Sequence, residues 1–268
     1  MPGKTNVKQH IVITGASKGL GAALATGFAG EGVHLSLCAR DISNVEALTK
    51  VLEAKGSTVN WASIDLRIAQ QSIEWIDFIS RSSPIDMLVL NAGIFDGSPA
   101  EGLLEDPQRA ADIVSTNLLG SVVPALHCAQ KMRDQERGHL VFISSLAGFA
   151  AHADAPTYSA SKAAVSVFAR ALREELAPSQ VGVSLFHPGH IDTAQTQQHI
   201  GALPGLVSVE TAAKRIVDAV HRGPSETSFP MRFRLGLAVL NLLPWRVRAR
   251  LNRAFRFKVR PPSSPNSD

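Results

Sequence analysis

Tyr158 and Lys162 stand four residues apart in Tyr158-Ser159-Ala160-Ser161-Lys162, inside a segment whose apolar spacing predicts a helix over 158–176. On a helix the two share one face. Tyr158 is the sole tyrosine of the chain. A phenol with its ordinary pKa of about 10 exchanges protons poorly at neutral pH, and a neighbouring ammonium favours the phenolate. The pair therefore suits proton transfer to or from an oxygen. Taken alone, Tyr-x-x-x-Lys is explained as well by a half-buried ring beside a solvated lysine. A second feature points to a ligand: Thr14-Gly15-Ala16-Ser17-Lys18-Gly19-Leu20-Gly21 links an apolar run to a helical pattern. Glycines permit a tight turn and let a pyrophosphate approach the backbone, and the N-terminus of the following helix offers free N–H groups and a positive dipole end. A Gly-rich turn is a weak signal by itself. At the first strand-to-helix junction of an alternating chain it predicts dinucleotide binding through Gly15, Ser17, Lys18, Gly19, Leu20 and Gly21.

The elements that must position these residues alternate in type. Continuous apolar runs at 10–14, 33–38, 59–62, 87–90, 140–143 and 183–186 read as strands covered on both faces. Helical patterns lie at 20–29, 45–54, 69–79, 110–133 (one helix or two), 158–176 and 209–221. Crossovers of this length imply a parallel sheet with helices on both sides. The chain has 268 residues, 45% of them apolar and 19% charged, which fits one α/β domain and excludes a disordered chain. Neither a fixed-period repeat nor an inter-domain linker is read.

The glycine spacing is Thr-Gly-x-x-x-Gly-x-Gly. With Leu90-Asn91-Ala92-Gly93, Ser145, Tyr158-x-x-x-Lys162 and Pro188-Gly189-His190-Ile191-Asp192-Thr193, it resembles the short-chain dehydrogenase/reductase family over about residues 8–222. The resemblance implies a Rossmann-type, doubly wound parallel sheet of about seven strands, and a nicotinamide-dependent oxidoreductase. Ser145 lies 13 residues before Tyr158, as the family's catalytic serine does, and Ser144 is out of register by one. Asn117 matches the family's catalytic asparagine, which holds a water linking the lysine to solvent; its plain alternative is an asparagine that back-bonds within its helix. In that scheme Ser145 bonds the substrate carbonyl and Tyr158 donates a proton to it. Lys162 holds the ribose hydroxyls and tunes Tyr158. The resemblance also gives Asp65, followed by Leu66, to the adenine ring, and Asn91, Ala92 and Gly93 to the wall against the cofactor. Pro188, Gly189, Ile191 and Thr193 fall to the nicotinamide, whose pro-S hydride the family transfers. Leu90 departs from the family's Asn-Asn-Ala-Gly at its first position.

For the cofactor, the end of the second predicted strand decides. NAD forms keep an acid there for the ribose 2′-hydroxyl. This chain has Ala39, then Arg40, with Lys18 in the phosphate loop. Two cations suit a 2′-phosphate, so NADP(H) is expected. The alternative is an Arg40–Asp41 pair at the start of a surface loop. Two other functional readings stay open: an NAD-dependent alcohol dehydrogenase, and a cofactor-binding regulator without turnover. Such regulators typically lose the tyrosine or the lysine, and this chain keeps both. No metal is expected.

Residues 193–208 fall where the family keeps a mobile substrate lid, and glycines with a proline suit such a loop. Leu146, Phe149 and Leu203 are candidates for an apolar pocket, with His152 and His190 near the nicotinamide end. The apolar residues suggest a lipophilic ketone or alcohol as the substrate, with Ser145 on its oxygen, while each histidine either binds a polar substrate group or takes a hydrogen-bonded structural role. The family implies a homodimer or homotetramer through the helices holding 110–133 and 158–176.

Charge is uneven. Residues 227–268 hold nine Lys and Arg and a single acid, Asp268, so that stretch is +8 and the rest −4. It lacks a recognisable nucleic-acid module, so no nucleic-acid partner is expected. The apolar run 235–243 is too short to span a bilayer, which needs about 20 residues. From 245 to 255, Val247, Leu251, Ala254 and Phe255 share one helical face and Arg246, Arg250, Arg253 and Arg256 the other, with Arg248 near the boundary. That face either packs on the body or a partner subunit, or lies on an anionic membrane through residues 235–260. The expected organisation is a catalytic domain over 1–230, a basic amphipathic extension over 231–260 and a disordered end over 261–268. Two isolated cysteines, Cys38 and Cys128, make no disulfide framework, and residues 1–10 lack a secretory h-region. A cytoplasmic protein is expected, peripheral on the inner face of a membrane if the tail binds lipid.

Overall fold

The computed structural model describes residues 9–99, 103–200, 203–252 and 258–259. Seven parallel strands form one sheet. They are β1 (Gln9–Thr14), β2 (Val33–Ala39), β3 (Thr58–Ser63), β4 (Met87–Leu90), β5 (Gly138–Ile143), β6 (Val181–Pro188) and, after a two-residue strand β7 (His199–Ile200), β8 (Glu226–Phe229). Their order is β3-β2-β1-β4-β5-β6-β8. β1 pairs with β2 on one side and β4 on the other, so the winding reverses between β1 and β4, where ligands gather in open α/β sheets. This is the doubly wound Rossmann arrangement expected. The six predicted strands agree to within two residues at each end. β8 has the sequence Glu-Thr-Ser-Phe and carries no apolar run to betray it.

Period-two burial explains how both sheet faces are covered. Ile11 and Ile13 of β1 join an apolar cluster with helices α1 (Gly19–Phe28) and α7 (Val209–His221). Val12, between them, joins the opposite cluster, with α3 (Ala69–Ser82), α5 (Gly120–Asp134) and α6 (Pro156–Leu176). β5 alternates likewise, Val141 and Ile143 to the first cluster and Leu140 and Phe142 to the second. α2 (Glu46–Ala54) adds Leu52 to the first.

The helical pattern at 110–133 proves to be three pieces. α4 (Pro107–Ile113) is capped by Asp106, whose carboxylate accepts the Arg109 N–H. A π-helical turn, Val114–Leu119, follows and leads straight into α5.

After β8 the chain forms α8 (Met231–Asn241), and Pro244 separates it from α9 (Trp245–Asn252). The described part of the expected amphipathic face, Val247 and Leu251, is nearly half exposed, so this chain's own body does not cover it. Arg253, Ala254, Phe255, Arg256 and the end at 261–268 lie outside the described residues. Lys258–Val259 form a last short strand, β9, antiparallel to β7. Among the described residues no helix is long and apolar enough to cross a membrane.

Candidate active site

The phosphate loop is built by hydrogen bonds between the ends of β1 and β4. The Thr14 hydroxyl donates to the Val89 carbonyl and accepts the N–H groups of Asn91 and Ala92, both at 3.1 Å. The Asn91 side chain donates to the carbonyls of Thr14 and Gly15, both at 3.1 Å. Asn91, expected from the sequence at the wall against the cofactor, is thus a strut of the loop. Two glycines are obligatory. Gly15 has φ +64° with Ala92 against it, and a Cβ on Gly21 would stand 2.1 Å from the Gly15 carbonyl oxygen. Lys18 N-caps α1 in an extended conformation without a side-chain capping bond, so no side chain of the loop takes up the N–H groups of the first turn. Ser17, Leu20 and Gly19 line this turn, and the methyl of Thr193 faces Gly19.

At the end of β2, Arg40 and Lys18 are both exposed. The expected alternative, an Arg40–Asp41 pair, gives way to an Asp41 carboxylate that accepts bonds from the Ser43 hydroxyl and N–H. These bonds, helped by the charge of Lys18, hold Asp41 below its ordinary value. Asp65, expected at the adenine, is clamped by Arg67: the guanidinium donates to both carboxylate oxygens, at 2.6 Å to Oδ2, and also reaches Asp112 at 3.1 Å. That clamp, with Arg40 adding its charge, keeps Asp65 below the usual carboxylate range. Leu66 beside it is buried, against Gly120. Sequence reading missed Arg67, although it lies two residues after the acid.

The proton-transfer candidates converge at the C-terminal ends of β4 and β5. Pro156 opens α6 at its first position, where its missing N–H costs nothing. Tyr158 follows, half-buried, its ring edge-on to Phe95 at 5.0 Å. Lys162, one turn on, is buried, and its Nζ donates to the Ile143 carbonyl at 3.1 Å and lies 5.9 Å from the centre of the Tyr158 ring. Burial lowers Lys162 to about 8. Burial also raises Tyr158, and a hydrogen bond with Ser145 offsets part of that rise. Ser145 thus joins the neighbouring ammonium expected from the sequence as a group that favours the phenolate. Ser145 also accepts the Ala147 N–H at 3.1 Å.

Ser144 takes a different part. It is buried, donates to the Lys162 carbonyl at 2.9 Å and meets the Ser166 hydroxyl at 2.8 Å. It ties β5 to α6 through these two bonds. Ser145→Ala is therefore expected to cut kcat about 100-fold, with a stability loss of about 1 kcal/mol or less from the Ala147 N–H bond. Ser144→Ala should instead lower stability by about 1–2 kcal/mol and leave kcat within about threefold. Steady-state kinetics beside thermal unfolding checks the pair, and the reverse pattern would exchange their roles.

Asn117 lies in the π-turn, fully buried. Its Oδ1 accepts the Ile94 N–H at 2.8 Å, and its Nδ2 donates to the Ile94 carbonyl at 2.9 Å and to the Ser161 hydroxyl at 3.1 Å. Local back-bonding is absent from this set. A Cβ on Gly93 would stand 3.2 Å from Lys162 Nζ and 3.3 Å from Asn117 Oδ1, so both polar groups face Gly93. Phe95 and Ser161, which complete this arrangement, were not singled out in the sequence; an aromatic two residues after Asn-Ala-Gly is the signal that was available.

Beyond β6, the Gly189 N–H donates to Phe229, and Ile191 bridges to Val207. Thr193 meets the Thr196 hydroxyl at 3.1 Å. The segment from Pro188 to Thr193 thus lies across from the phosphate loop. Leu146 is buried next to Gly189. Burial lowers His152, with the charge of neighbouring His190 acting in the same direction. His190 Nδ1 lies 3.2 Å from the Pro204 carbonyl, next to Leu203 in the lid segment. These candidates gather at one end of the sheet, with Asp65 and Arg40 at its other side.

A family model described as short chain dehydrogenase matches residues 9–202. An uncharacterized oxidoreductase of Myxococcus xanthus is 32% identical over 234 residues, covering 87% of this chain and 92% of that protein. A 3-dehydrosphinganine reductase of Arabidopsis thaliana is 30% identical over 253 residues, covering 89% of this chain and 76% of its own length. The crystal structure of a metagenomic short-chain oxidoreductase in complex with NADP aligns with a TM-score of 0.69 at 27% identity, over 84% of this chain and 97% of that one. The matched region begins at β1 and takes in the glycine loop, the π-turn asparagine and the Tyr158–Lys162 pair, and so the chain belongs to the short-chain dehydrogenase/reductase family of oxidoreductases.

Proposed function

We propose that the protein interconverts a lipophilic ketone and a secondary alcohol, with NADP(H) as its cofactor and Tyr158 as the proton donor and acceptor. The observation that carries this is Tyr158 set one helical turn from a buried Lys162, whose Nζ lies 5.9 Å from the centre of the phenol ring, beside the end of β5 that Ser145 follows. Bound NADPH supplies the hydride. The glycine loop fits its pyrophosphate, since Gly15 and Gly21 leave room that a Cβ would fill and α1 begins without a side-chain cap. Lys18 and Arg40 are placed to take a 2′-phosphate, and Pro188 to Thr193 to border the nicotinamide.

In the reductive direction Ser145 donates to the substrate carbonyl oxygen and Tyr158 releases its proton to that oxygen. A phenol held above its ordinary value stays protonated at neutral pH and is ready to donate. Lys162, with a value near 8, is mostly cationic at pH 7; it favours the phenolate as it forms and gives a proton back. Asn117, held on three sides, fixes the relay end beside Lys162. Catalysis here is orientation plus stabilisation of a developing alkoxide.

Leu146 and the relative that reduces 3-dehydrosphinganine support a lipophilic substrate. A homo-oligomer is supported by Leu119, Leu126 and Val167, all exposed on the helices expected at that interface. The experiment is a panel of ketones offered with NADPH, followed by nicotinamide absorbance. Long-chain or ring ketones are expected to turn over. Exclusive turnover of small charged keto acids would overturn the substrate class, and failure with every carbonyl, despite NADPH binding, would favour a regulator.

A further inference from the structure

α8 presents two faces of opposite fate. Phe233, Leu237 and Leu240 turn inward, half-buried. On that side Arg234 stacks over the Phe149 ring at 3.7 Å, and Asn241 donates to the Phe149 carbonyl at 2.7 Å. Phe149 ends the 3₁₀ turn that Ser145 begins, and the Phe233 ring lies against Gly205 of the lid segment. α8 is therefore a wall beside the mouth of the substrate site. Its outward face carries Met231, Leu235, Val239 and Leu242, spaced as one helical stripe, and Trp245 of α9 continues it. Leu235 is 61% exposed, Val239 63%, Leu242 85% and Trp245 67%. Side chains this large, aligned and not covered by the other described residues, mark a surface that meets something apolar.

Charge selects what that is. Arg232, Arg246 and Arg250 flank the stripe and are exposed, and no acidic residue occurs from 227 to 267. A second copy of the chain, paired through this same stripe about a two-fold axis, would bring together two arginine-rich segments that contain no acid of their own. An anionic bilayer matches both halves of the pattern: acyl chains take the leucines and tryptophan, and headgroup phosphates take the guanidinium groups.

We propose that the outward face of α8 and the start of α9 dock on an anionic lipid surface, holding the substrate mouth against the membrane. The attachment goes beyond the reaction assigned above, while the orientation of the substrate mouth rests on that reading; the test reads attachment and not turnover, so the two fail separately.

The test is co-sedimentation of the full-length protein with vesicles of phosphatidylcholine alone, or with about one-third phosphatidylserine, at low and high salt. Binding to the anionic vesicles that weakens at least about tenfold in high salt, and about tenfold or more in Arg246→Gln/Arg250→Gln, is the expected result. Leu235→Ser/Val239→Ser should weaken binding at least as much. Both positions face solvent, and unchanged circular dichroism would show that the variants fold. Three results would overturn the proposal: no sedimentation with either vesicle, equal binding to both compositions, or a Leu235→Ser/Val239→Ser variant that binds vesicles normally but changes oligomeric mass. The last would assign the stripe to a second copy.

Discussion

Tyr158→Phe is expected to lower kcat by about 10³-fold or more while leaving the dissociation constant for NADPH within about threefold. The substitution removes one oxygen and keeps the ring that packs edge-on against Phe95 at 5.0 Å, so the fold has no reason to respond. What is lost is the proton donor. Ser145 bonds the same substrate oxygen in the proposed scheme but is an alcohol without a base to charge it, and Lys162 is turned towards the Ile143 carbonyl. Neither stands in for the phenol. Binding of NADPH, followed by its fluorescence, separates the roles: if affinity and turnover fall together, Tyr158 is a binding residue and the proposed chemistry fails.

The second large effect concerns the phosphate on the adenosine ribose. Lys18→Ala/Arg40→Ala should raise KM for NADPH by roughly 100-fold and leave KM for NADH nearly unchanged. Each charge-assisted contact to a phosphate at an exposed site is worth about 1.4 kcal/mol, or tenfold. Both side chains are exposed, and the Asp41 carboxylate takes its hydrogen bonds from Ser43 and not from either cation. The comparison is kcat/KM for the two cofactors in the parent and the double variant. A parent enzyme that prefers NADH tenfold would reverse the reading of both residues.

How much of this was legible follows from the range over which each feature is encoded. Tyr158 and Lys162 were readable because one helical turn fixes their relation. The strands were readable because burial on both faces leaves continuous apolar runs. β8 was not, since it is short and takes its place by pairing with β6. The Asn91 strut and the Arg67 clamp were also hidden. Each is a side-chain bond whose partner is chosen by the fold, and nothing in Asn-Ala-Gly or Asp-Leu-Arg announces it. The tail shows the opposite case. Its amphipathic pattern was plain, yet the same pattern serves a helix that packs and a helix that waits for a surface, and the exposure of Val247 and Leu251 shows that no described residue of this chain takes up the face.

The π-turn at Val114–Leu119 has a consequence for how this chain tolerates change. A turn of this kind holds one residue more than an α-helical turn, so it shifts the angular phase of everything after it by about 100°. Asn117 faces the site in front of that shift, and Ala125, Cys128 and Met132 of α5 face the core behind it. The surplus residue is the gear that lets one continuous helix serve both directions. Removing a single residue between 114 and 119 would restore ordinary helical hydrogen bonding there. It would also force a choice, either swinging the asparagine out of the site or unseating the half of the helix that packs beneath β4 and β5.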